Sequence, residues 1–271
     1  MKKFSGMLLA SDFDGTLADS NGQIPSFVRE KIKYFISEGG YFTVCTGRTK
    51  QGFHLYNSSI INAPVLLANG IMAYDYKKEK TVFSYSIDKK NAAIASLIQE
   101  RFPDVCVELY SDTFKTFAIN INDRTVDHFS RQYIDWANVS DLSKADPPFV
   151  KIMVSAGVQR AREVQNFLDG VIGDFDLKYI PSSWEYVEII NKDYDKGKGL
   201  MKLADILGAD KNKVFAVGDG ENDLDMLKAA FLSFVPANGC EAAKSIPHID
   251  VPSNDNGAVA AVIDYLDICL K

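Results

Sequence analysis

Met7-Leu8-Leu9-Ala10-Ser11-Asp12-Phe13-Asp14-Gly15-Thr16-Leu17 is the stretch on which the fold turns. An apolar run of strand character ends in two carboxylates two residues apart, and the following glycine lets the backbone turn sharply or lie close to a ligand. Like charges at one strand mouth repel. Either one carboxyl keeps its proton or a cation sits between them, and both states suit phosphate chemistry. Asp12 and Asp14 could equally be ordinary turn residues, because Asp and Gly dominate loops for conformational reasons. The choice depends on what the rest of the chain brings to the same place.

Working outward, short β-rich runs alternate with helical patterns at both ends of the chain, as in a parallel sheet covered by helices. Strands are expected at about 7–11, 41–45 and 65–68. Helices are expected at about 25–38, with Pro25 in the first turn and Gly39-Gly40 closing it, and at about 48–59. Residues 71–86 read as a hairpin of two aromatic strands around the charged turn Lys77-Lys78-Glu79-Lys80. Beyond it come a helix over 88–101, strands over 105–110 and 116–121, and a helix over 125–136. A loop over 140–148, a strand over 149–155, a helix over 159–168 and strands over 177–180 and 185–190 complete this stretch. The strand-helix rhythm resumes past Lys196, with helices over 197–207, 222–229 and 258–268 and strands over 214–217 and 232–235. The expected architecture is α/β, with a Rossmann-like three-layer core of parallel sheet over 1–85 and 191–271 and an α+β domain inserted over 86–190.

The 271 residues are 46% hydrophobic, enough for one large or two moderate cores, and carry a net charge of −6. That balance argues against a nucleic-acid or anionic-membrane surface, both of which need a basic face. Cys45, Cys106, Cys240 and Cys269 form no Cys-x-x-Cys pair, so they read as reduced thiols rather than a zinc site or disulfide framework. His54, His128 and His248 are equally dispersed. The first apolar run reaches Asp12 too soon for a signal-peptide core, and no span is long enough for a membrane helix, so a cytoplasmic location is expected.

Three further stretches share the position of Asp12-x-Asp14. Thr46-Gly47-Arg48 follows the second strand and opens a helix, where free N–H groups favour an anion, although Thr46 is also an ordinary N-cap and Arg48 could make a salt bridge to the core. Gly218-Asp219-Gly220-Glu221-Asn222-Asp223 follows the strand at 214–217 and offers hard oxygen ligands of the kind Mg²⁺ takes; a plain turn and N-cap would account for its acids singly but less well for the two glycines and Asn222 together. Lys196, before Gly197, could neutralise charge during phosphoryl transfer; Lys198 is its competitor, and a solvated lysine is the alternative for either.

Taken together, Asp12-Phe13-Asp14-Gly15-Thr16-Leu17, Thr46-Gly47-Arg48, Lys196-Gly197 and Gly218-Asp219-Gly220-Glu221-Asn222-Asp223 resemble the four motifs of the haloacid dehalogenase superfamily of phosphohydrolases, in its Cof-like branch with a C2-type cap. Asn69-Gly70 resembles the Asn-Gly pair that borders the substrate pocket in that branch. The resemblance implies that Asp12 is a nucleophile, Asp14 the general acid and base, and Thr46, Gly47, Lys196 and Asn222 the holders of the phosphoryl group. Mg²⁺ would be held by Asp12, the Asp14 carbonyl and Asp219, with Asp223 or Asn222 supporting the metal or its waters, while Asn69, Gly70 and Arg48 would line the substrate pocket. It implies a phosphatase for a small phosphorylated metabolite, sugar phosphates foremost and nucleotide or cofactor phosphates behind, working as a monomer or small homo-oligomer. A phosphomutase of the same superfamily and a non-enzymatic phospho-receiver are the alternatives. A receiver needs roughly half this length, and dinucleotide binding lacks its Gly-x-Gly-x-x-Gly after the first strand.

Overall fold

The computed structural model describes residues 2–56, 60–145, 148–183 and 185–269, so Trp184 and the expected helical residues 57–59 lie outside what is described. The chain forms two compact units, one of Met1–Thr46, Asn57–Val82 and Asp195–Lys271, the other of Gly47–Tyr56 and Phe83–Tyr194. The crossings at 82/83 and 194/195 fall a few residues from the expected 85/86 and 190/191. Segment 47–56, expected in the core, groups with the second unit.

The first unit is built on a five-stranded parallel sheet in the order Ile249–Val251, Leu232–Pro236, Val214–Val217, Leu8–Ser11, Tyr41–Val44. Leu8–Ser11 and Val214–Val217 are buried at every position, which is why they read as continuous apolar runs rather than alternating ones. Helices Ser26–Ser37 and Ala258–Cys269 pack on each other, as do Lys196–Leu207 and Leu224–Ala229; Ser26–Ser37, Leu224–Ala229 and Ala258–Cys269 also pack on the sheet, whereas Lys196–Leu207 packs on Val65–Leu67 and Met72–Asp75. From Leu8–Ser11 the chain moves to one edge; from Val214–Val217 it moves to the other. The two strands therefore flank the point where strand order reverses, and their carboxyl ends open the crevice in which open α/β sheets bind ligands.

Val65–Leu67, expected as a third core strand, is linked to the parallel sheet, among the described residues, by a bridge from Cys45 to Leu66 and pairs antiparallel with Met72–Asp75 of the hairpin. Ile249–Val251, which closes one edge of the sheet, was not foreseen. Its three residues carry Asp250 in the middle and show too little apolar pattern.

The second unit carries a six-stranded sheet in the order Leu177–Ser183, Tyr186–Asn191, Phe149–Ser155, Cys106–Ser111, Thr116–Ile119, Trp136–Asn138. One face, with Val107, Leu109, Ile152, Val154, Val187 and Ile189, forms a core with Ile94 and Ile98 of helix Ile94–Arg101 and Val164 and Leu168 of helix Val158–Val171. The helix expected over 125–136 spans Asp123–Gln132 instead. Tyr133 adopts a left-handed conformation (φ 54°) that ends it, and Trp136–Asn138 becomes a strand parallel to Thr116–Ile119. The helix expected over 48–59 shrinks to Lys50–Phe53 and a 3₁₀ turn His54–Tyr56; Thr49 caps it, and Gly52 in its middle weakens helix propensity.

The opposite face of this sheet is polar yet buried. The Lys151 ammonium pairs with Glu188 at 3.2 Å and donates to the Gly47 carbonyl at 3.0 Å, while Tyr110 donates to Glu108 Oε2. Glu108 Oε1 has no hydrogen-bond partner among the described residues. Burial pushes the Glu108 carboxyl up to about 8 despite the Tyr110 hydrogen bond and the Lys151 charge. The folded chain thus keeps a proton that the unfolded chain releases near its ordinary value of 4.5, and stability falls as pH rises between the two. Glu108→Gln removes this cost. Its unfolding free energy relative to the parent is expected to rise between pH 5 and 8, by at most about 1.4 kcal/mol per pH unit in urea titrations. Parallel pH profiles would show that Glu108 is ionised in the folded chain.

Among the described residues, no helix is long and apolar enough to cross a membrane.

Candidate active site

Asp12 stands at the carboxyl end of its strand, its N–H bonded to the Val217 carbonyl at 2.9 Å, so the two central strands end in register. The turn that follows, Phe13–Leu17, is unusually wide, closing through an Ala18 N–H to Phe13 carbonyl bond of 2.9 Å. Gly15 makes it possible. Its φ is +79°, and a Cβ there would stand 2.6 Å from Asp219 Oδ2, so both the backbone and the approach of Asp219 require glycine. Asp14 is exposed in this turn, and Thr16 is buried and donates to Asp219 Oδ1 at 2.6 Å.

Lys196 is fully buried, and its ammonium lies 2.6 Å from both Asp12 Oδ1 and Asp223 Oδ1. Lys198, its competitor from the sequence, is exposed. The glycines around Lys196 have a packing reason. A Cβ on Gly197 would meet the Asp225 carbonyl at 2.3 Å, one on Gly199 the Gly70 carbonyl at 2.6 Å, and one on Gly70 the Asp195 carbonyl at 2.4 Å. Asp223, also fully buried, turns its second oxygen onto the N–H groups of Asp219 (3.0 Å) and Gly220 (2.9 Å) and thereby shapes the acidic loop.

Thr46 follows the neighbouring strand and is buried; its N–H reaches the Leu66 carbonyl at 2.9 Å and its own carbonyl accepts from Asn69 at 3.0 Å. Ala68, Asn69 and Gly70 are all left-handed (φ 49°, 58° and 83°), a costly run for the two non-glycine residues. The run turns the Asn69 amide so that its Oδ1 accepts from Asn222 at 3.2 Å. Gly47 and Arg48 fall in the second unit, where the Arg48 guanidinium donates to the Gly52 carbonyl at 3.1 Å and lies over Tyr56.

Charge is the dominant feature of the arrangement. Oxygen atoms of Asp12, Asp219 and Asp223 lie within 4.8 Å of one another, and one ammonium, that of Lys196, is bonded among them. Burial raises the Asp12 carboxyl well above the ordinary range, with Asp223 and Asp219 adding to the effect and Lys196 opposing it. Burial likewise brings Asp219 up to about 6, although the Thr16 hydrogen bond works against it. Burial disfavours the Lys196 ammonium, but Asp12 and Asp223 outweigh it and hold its proton more tightly than usual. Hard carboxylate oxygens with uncompensated negative charge are a donor set that fits a small divalent cation. Such clustered, perturbed acids at a strand-end crevice mark a place where charge is handled.

Thr16, Asn238 and Asn254, which tie the loops of this site together, escaped the sequence reading. Thr16 was legible only as part of a motif, and neither asparagine was singled out.

The profile of haloacid dehalogenase-like hydrolases matches residues 9–263, nearly the whole chain. The chain belongs to that family. The resemblance drawn from the four motifs is thereby confirmed, and with it the chain's standing as an enzyme of the hydrolase class, which removes the phospho-receiver alternative. It is similar to a putative phosphatase of Buchnera aphidicola subsp. Acyrthosiphon pisum, 27% identical over 96% of each chain. It is also similar to the 5-amino-6-(5-phospho-D-ribitylamino)uracil phosphatase of Bacillus subtilis, 24% identical over 93% of this chain and 94% of that one. Among solved structures, a haloacid dehalogenase-like hydrolase from Bacteroides thetaiotaomicron has the same fold, with a TM-score of 0.86, 20% identity and coverage of 97% of this chain and 99% of that one.

Proposed function

We propose that this haloacid dehalogenase-like hydrolase is a Mg²⁺-dependent phosphatase of small phosphomonoesters that works through a phosphorylated Asp12. The observation that carries the reading is the Asp12 carboxylate at the central strand end, 2.6 Å from the buried Lys196 ammonium and clustered with Asp219 and Asp223. An Asp12 oxygen attacks phosphorus, the bond to the ester oxygen breaks, and Asp14 gives that oxygen its proton as it leaves. Asp14 then takes a proton from a water whose oxygen attacks the phosphorus of the acyl phosphate. The bond to Asp12 breaks, releasing inorganic phosphate and restoring both carboxyl groups. Thr46, Lys196, Asn222 and the Gly47 N–H hold the phosphoryl oxygens, and Lys196 keeps its charge throughout because Asp223 remains beside it. Mg²⁺, held by Asp12, Asp219, Asp223 and the Asp14 carbonyl, would lower the repulsion between an anionic nucleophile and an anionic phosphate.

The inserted unit is read as a C2-type cap that selects the leaving group, with Asn69, Gly70 and Arg48 bordering the substrate. Sugar and sugar-alcohol phosphates are the leading substrate class. The ribityl phosphate in the name of the B. subtilis relative supports that choice.

Incubation of the protein and Mg²⁺ with a panel of phosphomonoesters, followed by product analysis, tests the reading. Inorganic phosphate and the dephosphorylated alcohol in equal amounts are expected, with sugar and polyol phosphates turned over fastest. An isomeric phosphate ester in place of inorganic phosphate would make the enzyme a mutase.

A further inference from the structure

We propose that Asn238 and Asn254 are positioning residues for the proton transfer, a pair of amides that fixes the turn carrying Asp14. The loop after Leu232–Pro236 closes through a Gly239 N–H to Pro236 carbonyl bond of 2.7 Å, and the Cys240 N–H then bonds the Asp219 carbonyl at 2.8 Å. Between these anchors, the Asn238 amide donates to the Gly15 carbonyl at 2.8 Å. Its oxygen accepts from the Asn254 N–H at 3.0 Å, so the two polar atoms of the side-chain amide are engaged by different partners. Asn254 is nearly buried and donates its own amide to the Ala18 carbonyl at 2.9 Å.

The two carbonyls so held are Gly15, in the middle of the wide turn, and Ala18, the residue that closes it. Asp14 is exposed, and the backbone of the turn sets the point from which its side chain extends. The Asp14–Gly15 peptide lies between an Asp14 ψ of 121° and a Gly15 φ of +79°. Glycine has no side-chain barrier to defend that second angle. A hydrogen bond to the Gly15 carbonyl pins the following Gly15–Thr16 peptide and so narrows the range open to the turn, and the link from Cys240 to Asp219 ties the same loop to the second acidic segment. A proton donor must be within about 3 Å of the oxygen it serves, and displacement of about 1 Å can cost on the order of 10²-fold in rate.

The inference rests on the reading of Asp14 as general acid given above, and its test separates the two. Asn238→Asp keeps the shape and the acceptor but turns a carboxylate oxygen toward the Gly15 carbonyl; Asn238→Ala removes both bonds. Because Asn238 is exposed, both variants should fold, and their thermal unfolding midpoints check this. kcat/KM is measured for an alkyl phosphate, whose alkoxide cannot leave without a proton, and for 4-nitrophenyl phosphate, whose phenolate can. Both variants are expected to lose about 10-fold or more beyond any loss on the nitrophenyl ester when the alkyl ester is the substrate, with Asp14→Ala showing the same split more strongly. Equal losses on the two esters, or none, while Asp14→Ala splits them, would overturn the positioning role. If Asp14→Ala itself treats both esters alike, the general-acid reading fails and the inference falls with it.

Discussion

Asp12→Asn is expected to lower turnover of 4-nitrophenyl phosphate by on the order of 10⁴-fold or more while leaving the cation-free protein as stable as the parent or more so. The amide cannot attack phosphorus, and the phosphoryl-holding groups alone leave little catalysis. The stability half follows from the same charges. Burial and the neighbouring Asp223 and Asp219 raise the Asp12 carboxyl, so ionised Asp12 costs the folded state more than the unfolded one. That cost is absent below the unfolded value near 4 and grows as pH rises toward the folded one, so the advantage of the neutral variant should widen from acid to neutral pH. The amide oxygen can still accept from Lys196. Enzyme assays and denaturant titrations at pH 5 and 7.5 check both halves. Undiminished turnover would remove Asp12 as nucleophile, and a less stable variant would show that its ion pair with Lys196 outweighs the repulsion.

Removal of divalent cations is expected to be the next largest effect, a loss of roughly 10³-fold or more on treatment with a chelator, restored by Mg²⁺ and not by Na⁺ at equal ionic strength. Three clustered carboxylates with one bonded ammonium leave an excess of buried negative charge, so a bound cation should also raise the melting temperature, by about 2.7 kcal/mol of stability at a hundred times its dissociation constant. Because Asp219 is raised to about 6, protons compete with the cation there, and the Mg²⁺ concentration for half-maximal stabilisation should increase as pH falls through that value. Melting curves with and without Mg²⁺ at pH 5 and 7.5 read this without turnover. Absence of any Mg²⁺-dependent shift at pH 7.5 would count against a cation at the cluster.

How far the chain could be read in advance varies with the range of the interactions involved. The strand before Asp12 and the strand at 214–217 were legible because a buried parallel strand is apolar throughout, and the acids stood out because they end those runs. In the sequence, resemblance alone favours Lys196 over Lys198; the physical reason for the choice lies in helix phase in three dimensions. Gly197 and Gly199 let the helix approach Asp225 and Gly70, and that rotation buries Lys196 and exposes Lys198. Tyr133 carries no sign of a left-handed stop, since tyrosine rarely adopts one; pairing of Trp136–Asn138 with Thr116–Ile119 decided it. Asn238 and Asn254 have partners more than 200 residues earlier in the chain, beyond any local pattern.

Sequence alone determined the family and the α/β class and nominated the residues proposed to carry chemistry, because residue type, strand-end position and local periodicity are properties of neighbours in the chain. Tertiary structure alone decided that one lysine sits between Asp12 and Asp223, that the 47–56 segment groups with the inserted unit, and that two distant asparagines restrain the Asp14 turn. Those outcomes depend on which backbones can approach closely and on where each buried donor finds its acceptor, and such pairings exist only once distant segments are packed together.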